Sequence, residues 1–258
     1  MTNVLFKLEN HIATVTINRP DVLNCFDYAT LKQLQETVAD MQINPDVRVV
    51  IFTGAGDKAF SAGADLKERK TLNEQQTRRN VRLIRDVFND IANLPMPTIA
   101  AINGYAFGGG FELILACDFA LAVEDAKLGL TETSWAIIPG AGGTQRLPRV
   151  VGEMKAKELI FTAAKISANE AYGLGILTRV VEKEALQSTC INFAQQMLKS
   201  GPVALIQAKY AISQGMNTDI QTGMAIESKA YELTVPTNDR VEALQAFSEK
   251  RQPVFQGK

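Results

Sequence analysis

The chain has 258 residues, 46% of them hydrophobic and 21% charged, and its 27 Lys plus Arg nearly balance 28 Asp plus Glu. That length and apolar content support a well-buried core without a disulfide or metal staple, and they exclude a disordered chain. A net charge of -1 gives no overall pull toward nucleic acid or an anionic membrane, and the one histidine argues against a Ser-His-Asp machine or a multi-histidine metal site.

Residues 3–8 and 11–17 alternate apolar and polar side chains and predict a β-hairpin with His11, the single histidine, at its turn. Arg19-Pro20 ends it. Leu31, Leu34, Val38 and Met41 recur at helical spacing over 28–42. Residues 47–53 read as a buried strand closed by Gly54 and Gly56, with a loop onward through Gly63. A long polar helix spans 74–94 and stops at Pro95 and Pro97. A short apolar strand at 98–102 runs into a glycine-rich loop, Gly104 to Gly110, then a helix from about Phe111 and a strand near 118–123. This alternation predicts an α/β fold with largely parallel pairing. Beyond about residue 182 the pattern is helical only, at 182–199, 202–215, 219–234 and 238–249, with Pro202 suited to a first helical turn. The expected organisation is an α/β core over 1–198 and a helical region over 199–258 that docks on another subunit.

Cys25, Cys117 and Cys190 are odd in number and far apart, as in a reducing compartment. The start, Met-Thr-Asn-Val-Leu-Phe-Lys, lacks a basic segment followed by an apolar one, so a cytoplasmic location is expected. The longest apolar stretch, Phe111 to Val123, is broken by Glu112 and Asp118 and is too short to span a bilayer.

With imidazole scarce, any acid–base catalysis by this chain would fall to carboxylates. Two glycine clusters, Gly104-Tyr-Ala-Phe-Gly-Gly-Gly110 and Gly140-Ala-Gly-Gly-Thr144, bear on where it occurs. Neither has the lysine of a phosphate-gripping loop, and the sixth position from Gly140 is Gln145, so neither matches a nucleotide fingerprint. The first cluster precedes a helix, where free N–H groups and the helix dipole can hold an oxyanion. A tight strand-to-helix turn is the alternative reading. Glu112, in the first turn of that helix, either complements the dipole or acts chemically. Glu132 by itself reads as an ordinary loop glutamate.

Taken together, several ordered segments resemble the crotonase (enoyl-CoA hydratase/isomerase) superfamily. They are Ala59-Phe-Ser-Ala-Gly-Ala-Asp-Leu-Lys-Glu68, Ile102-Asn-Gly-Tyr-Ala-Phe-Gly-Gly-Gly-Phe-Glu-Leu113, Ala116-Cys-Asp118 and Pro139-Gly-Ala-Gly-Gly-Thr-Gln-Arg-Leu-Pro148. Arg19-Pro20, Ser167-Ala-Asn-Glu-Ala171 and Phe247-Ser-Glu-Lys-Arg251 extend the match over nearly the whole chain. The resemblance implies a crotonase-like spiral of ββα units with a C-terminal all-helical oligomerisation segment. It implies that the N–H groups of Ala64 and Gly109 bind a thioester oxygen, and that Glu112 and Glu132 are catalytic, Glu112 on the water and Glu132 on the α-carbon proton. This overrides the plain reading of Glu132. Further implied contacts to the substrate and its coenzyme A are Leu23, Cys25, Lys58, Ala62, Asp65, Leu66, Lys67, Phe247 and Lys250, the last reaching the nucleotide end of coenzyme A in a neighbouring subunit. Cys25 departs from the alanine frequent at that position in the family.

The implied activity is water addition to an enoyl-CoA thioester, with no cofactor beyond the coenzyme A of the substrate and no metal. Two glutamates favour a hydratase over an isomerase. A binding protein on the same scaffold is the competing class. Asp90-Ile-Ala-Asn-Leu-Pro95, Gly63 to Arg69, Pro202-Val-Ala and Gln214-Gly-Met216 resemble the 3-methylglutaconyl-CoA hydratases, some of which bind RNA through lysines on the first long helix. Here that helix carries only Lys32, beside Glu36 and Asp40, so RNA binding is not expected from it. Arg78, Arg82 and Arg85, with Arg79, form another basic stripe, read as a solvated face or as an anion contact. A trimer or a dimer of trimers is the implied assembly, with no membrane partner.

Overall fold

The alternation at the start of the chain forms an antiparallel hairpin, β1 (Val4–Glu9) and β2 (Ile12–Ile17), in a computed structural model that describes residues 2–258. Asn10 and His11 both take positive φ, as a two-residue hairpin turn requires, and His11 Nδ1 lies 2.9 Å from the Asp46 carbonyl oxygen. The histidine is a turn residue.

Helix α1 (Tyr28–Ile43) begins where the Asp27 carboxylate accepts the Thr30 N–H, and it buries Leu31, Leu34, Val38 and Met41. Strand β3 (Val49–Gly54) follows, then β4 (Ala59–Ser61), α2 (Leu66–Arg69) and α3 (Glu74–Ala92). A reciprocal Asn73–Gln76 capping box starts α3, whose Ile84, Val87, Phe88 and Ile91 face the core. Next come β5 (Thr98–Ile102), β6 (Tyr105–Phe107), α4 (Gly109–Ala116), β7 (Phe119–Val123) and β8 (Lys127–Gly129). A 3-10 turn over Glu132–Trp135 leads into α5 (Gly143–Val151), α6 (Glu153–Phe161), β9 (Ile166–Ser167), α7 (Ala168–Gly173) and β10 (Arg179–Val181).

The strands divide between two sheets. The larger has the order β1-β2-β3-β5-β7-β10 and is parallel from β2 onward; the smaller has the order β4-β6-β8-β9. Successive strand pairs β3/β4, β5/β6 and β7/β8 each give one strand to each sheet. The chain therefore winds as the expected spiral of ββα units. The second sheet corrects the sequence reading of Gly104–Gly110 as one loop. Its strands have two or three residues, too few for a visible period.

Helix α8 (Leu186–Met197) packs Cys190 and Ala194 against the large sheet. The chain continues through α9 (Pro202–Gly215), α10 (Ile220–Glu232) and α11 (Asn238–Glu249). Lys209 on α9 ties this region to the core, donating to the Met96 carbonyl at 3.0 Å and the Asp118 carboxylate at 2.7 Å. Helix α9 buries no residue completely, whereas Ile212, Met216, Ile220, Met224 and Phe247 are exposed. No helix of the described residues is long and apolar enough to cross a membrane.

One buried side chain organises the loop between the hairpin and α1. Asn24 is fully buried at φ +55°; its amide donates to the carbonyls of Ala55 (2.9 Å) and Ala59 (2.7 Å), and its oxygen accepts the Arg19 N–H (3.0 Å). Gly54 leaves room for it, since a Cβ there would overlap the Asn24 amide and two carbonyls. Asn24→Ala orphans buried polar groups and strains the left-handed backbone, so a loss of about 2–4 kcal/mol is expected in urea unfolding. A loss below about 0.5 kcal/mol would show that the network does not hold the loop.

Candidate active site

The site grows from two loops laid side by side. Phe26 forms a parallel bridge with Ala64: the Phe26 N–H donates to the Gly63 carbonyl at 2.8 Å, and the Asp65 N–H donates to the Phe26 carbonyl at 2.9 Å. In such a bridge the flanking residues make the bonds, so the N–H of Ala64 points to the opposite side. Arg19 locks the pair of loops. It donates to the Cys25 carbonyl at 2.6 Å and pairs with Asp65 and Asp27, each at 3.0 Å. Asp65 also caps α2 through the N–H groups of Lys67 and Glu68. These contacts occupy its carboxylate and hold it below the usual range, against the opposing effect of burial.

The first residue of α4, Gly109, supplies a second free amide, because a first-turn N–H has no intrahelical acceptor. Its backbone approaches Gly63 so closely that a Cβ on Gly63 would stand 3.0 Å from the Gly109 nitrogen and 2.8 Å from the Phe107 oxygen. The adjacent Gly110 is equally constrained, against the Ser61 carbonyl. The triple glycine is thus both a packing device and an amide donor. Neither the Ala64 nor the Gly109 N–H has an intramolecular partner among the described residues.

Glu112, one turn into α4, is 3% exposed. Its Oε1 accepts two backbone N–H groups, from Ala141 at 2.7 Å and from Gly143 at 2.8 Å. This gives the second glycine cluster its role. A Cβ at Gly143 would press on Leu130, Pro139 and the Glu112 carboxylate. Burial pushes the Glu112 pKa up, and the two amides, Arg146 and Arg69 oppose that rise.

Glu132 starts the 3-10 turn after β8, with its carboxylate beside Gly108. Its Oε2 is buried and has no hydrogen-bond partner. Burial, followed by the charge of Glu112, raises its pKa to about 7. The two acids therefore form one coupled pair, with a proton available near neutral pH.

Both glutamates line a cavity of about 560 Å³ together with Ala62, Ala64, Leu66 and Gly109. The apolar part of the wall is Val81, Ile84, Trp135, Ile137 and Ile138. Arg69 also lines it, and it escaped the sequence reading because it looks like any basic residue of a short exposed helix. Arg19, Arg78, Arg85 and Arg251 make ion pairs, but Arg69 makes none among the described residues. Ala141 and Gly143 escaped as well, because backbone donors carry no side-chain signature.

The other expected contacts lie away from this wall. Leu23 and Lys58 border a separate groove with Asp21, Gly56 and Asp57. Cys25 is half-buried, and burial pushes its thiol up to about 11, so it stays a thiol at neutral pH. Lys67 stands exposed on α2. Phe247, 85% exposed, and Lys250, which ends α11 at φ +56°, do not line the cavity. In the arginine stripe of α3, Arg78 pairs with Glu74, Arg85 with Asp86, and Arg79 lies 3.8 Å over the Tyr28 ring. Three of its four charges are thus engaged locally.

Two carboxylates and two free amides line one cavity, and comparison with known proteins shows the family that the motifs resemble. The enoyl-CoA hydratase/isomerase family profile matches residues 7–258. The human mitochondrial methylglutaconyl-CoA hydratase is 46% identical over 250 residues, covering 95% of this chain and 74% of that protein. The short-chain-enoyl-CoA hydratase of Clostridium acetobutylicum is 42% identical, covering 97% of this chain and 96% of its own. A crystal structure of an enoyl-CoA hydratase from Bacillus anthracis superposes with a TM-score of 0.98 at 49% identity, covering 99% of this chain and 100% of that one. The chain belongs to the enoyl-CoA hydratase/isomerase family of enzymes, the crotonase superfamily.

Proposed function

We propose that the protein is an enoyl-CoA hydratase that adds water across the α,β double bond of a short enoyl-CoA thioester, syn, with Glu112 and Glu132 as its acid–base pair. The observation that carries this reading is the asymmetry of the pair. One carboxylate is clamped by two amides; the other, half-buried, leaves one oxygen buried without a partner and has its pKa raised to about 7.

The chemistry follows from that asymmetry. Ionised Glu112 takes a proton from water as the water oxygen bonds to the β-carbon. The π electrons move toward the thioester carbonyl, and protonated Glu132 delivers its proton to the α-carbon. The thioester oxygen carries the developing charge between the N–H groups of Ala64 and Gly109. Each such donor lowers the barrier by about 2.7–4 kcal/mol in other enzymes. The reaction leaves Glu112 protonated and Glu132 ionised, and proton exchange with solvent resets them. An isomerase moves one proton between two carbons and needs one acid–base group, which would leave the Glu112 clamp without a task.

Arg69 points to the substrate. An unpaired guanidinium in a largely apolar wall suits an acyl chain that ends in a carboxylate, the class that includes 3-methylglutaconyl-CoA. Ala62 and Leu66 contact the acyl end in this reading. Leu23, Cys25, Lys58, Asp65 and Lys67 flank the coenzyme A path, Asp65 through its hold on the loop. The exposed apolar residues of α9 to α11 would be covered by self-association, as a trimer or a dimer of trimers, with Phe247 and Lys250 brought to a neighbouring subunit.

Glu112→Gln and Glu132→Gln are each expected to lower kcat on crotonyl-CoA by about 10²–10⁴-fold while coenzyme A thioester binding persists. The wild-type kcat/KM should fall as pH rises through about 7, where Glu132 loses its proton. Full activity in either variant would remove that residue from the mechanism. Arg69→Leu should reduce kcat/KM on 3-methylglutaconyl-CoA about 100-fold more than on crotonyl-CoA, the value of one lost charged contact; equal losses on both would sink the carboxylate assignment. In sedimentation at micromolar concentration the protein should run at three or six times its 28.2 kDa chain mass, and a monomer would contradict the assembly.

A further inference from the structure

The clamp on Glu112 has a support of its own. Arg146, in the first turns of α5, donates Nη1 to the Ala141 carbonyl at 3.0 Å and Nη2 to the Asn89 side-chain oxygen at 2.7 Å. Ala141 is therefore gripped from both sides, its N–H by Glu112 and its carbonyl by Arg146. The guanidinium lies against Gly142, which takes φ +110°, and a Cβ there would overlap it. No carboxylate pairs directly with Arg146 among the described residues, although the residue is half-buried. A partly desolvated cation without a bonded anion is favoured by a negative charge nearby.

The charge acting on Arg146 is that of the Glu112 carboxylate; Cys117, also near, stays a neutral thiol because burial pushes its pKa far up. Those acting on Glu112 are Arg146 from α5, Arg69 from α2 and Glu132 from the 3-10 turn. Arg69 stands in the acyl cavity beside both acids and acts on each of them, so it does not separate them. Arg146 acts on Glu112 alone of the two.

We propose that Arg146 is a positioning residue: it holds the Ala141 backbone that clamps Glu112 and adds a half-buried positive charge that, together with the two amides, makes Glu112, and not Glu132, the ionised member of the pair. The inference rests on the hydratase reading, in which Glu112 must accept a proton while Glu132 gives one. Without Arg146, burial acts on both acids with less to tell them apart, and the proton divides between them. The Asn89–Arg146–Ala141 chain also couples α3 to the site.

The test follows the carboxylates by infrared pH titration of the folded protein, with the Glu112 band assigned by its loss in Glu112→Gln. Arg146→Gln should raise the Glu112 midpoint by about one pH unit, and Arg146→Lys, which keeps the charge, should leave it near the wild-type value. Asn89→Asp keeps the arginine but neutralises it at an exposed position, and should raise the same midpoint. The acid limb of kcat/KM should move with the midpoint in each variant. A purely structural role would lower activity and melting temperature in Arg146→Gln and Arg146→Lys alike with the midpoint unmoved. That result overturns the proposal; if Arg146→Gln does not fold, an unmoved midpoint in Asn89→Asp overturns it. Failure of the wild type to hydrate any enoyl-CoA would instead defeat the functional reading, and the infrared midpoints still decide the role of Arg146.

Discussion

The site depends on backbone segments coming closer together than any side chain allows. Gly110 meets the Ser61 carbonyl and Gly63 meets the backbone of Phe107 and Gly109, while Gly143 packs against the side chains of Leu130, Pro139 and Glu112. At Gly110 and Gly63 a single methyl group would force chain apart, and at Gly143 it would displace the Glu112 carboxylate and its apolar neighbours. The close approach brings the amides of Ala64 and Gly109 to one wall of the cavity and closes the Gly140–Thr144 loop over Glu112. Without it the two amides would be solvated groups on separate loops, and the buried carboxylate would lose its donors.

Burial then converts placement into chemistry. Removing two carboxylates from water raises both, and their mutual repulsion raises Glu132 further. The pair is distinguished by its hydrogen bonds. Glu112 accepts two N–H groups, which favour its ionised form, whereas Glu132 leaves one oxygen buried and unpaired. A folded scaffold has little reason to keep such an oxygen unless a reacting group meets it. The surrounding polar network is fully used: Arg19 joins Cys25, Asp27 and Asp65, and Asn24 joins Arg19, Ala55 and Ala59. These contacts make the Phe26–Ala64 bridge a rigid support, which matters because an amide helps only if it is already aimed when charge develops.

Much of this was legible in the sequence, for identifiable reasons. The hairpin, α1 and the long helix α3 announce themselves through period and caps, and the buried face of α1 is the set Leu31, Leu34, Val38 and Met41 read from spacing alone. The small sheet is not legible, because β4, β6, β8 and β9 are too short for a pattern and are held by pairing across large chain separations. The helices α5 to α7 begin at glycines or after very short strands and offer no extended period either. Glu112 and Glu132 stand out only when motifs are read together, since each alone resembles a common helix-start or loop glutamate.

The sequence by itself determined the class of the fold, the family and the scarcity of imidazole beside two glutamates and two glycine clusters. Those properties rest on local patterns and on residue types that are present or scarce. Only the tertiary structure decided that the second glycine cluster serves Glu112, that Arg69 lines the cavity of the two glutamates without an ion-pair partner among the described residues and that Arg146 stands behind Ala141. The physical reason is the same in each case. A backbone donor has no side-chain signature, and the charge state of a buried group is set by neighbours that the chain brings together only on folding.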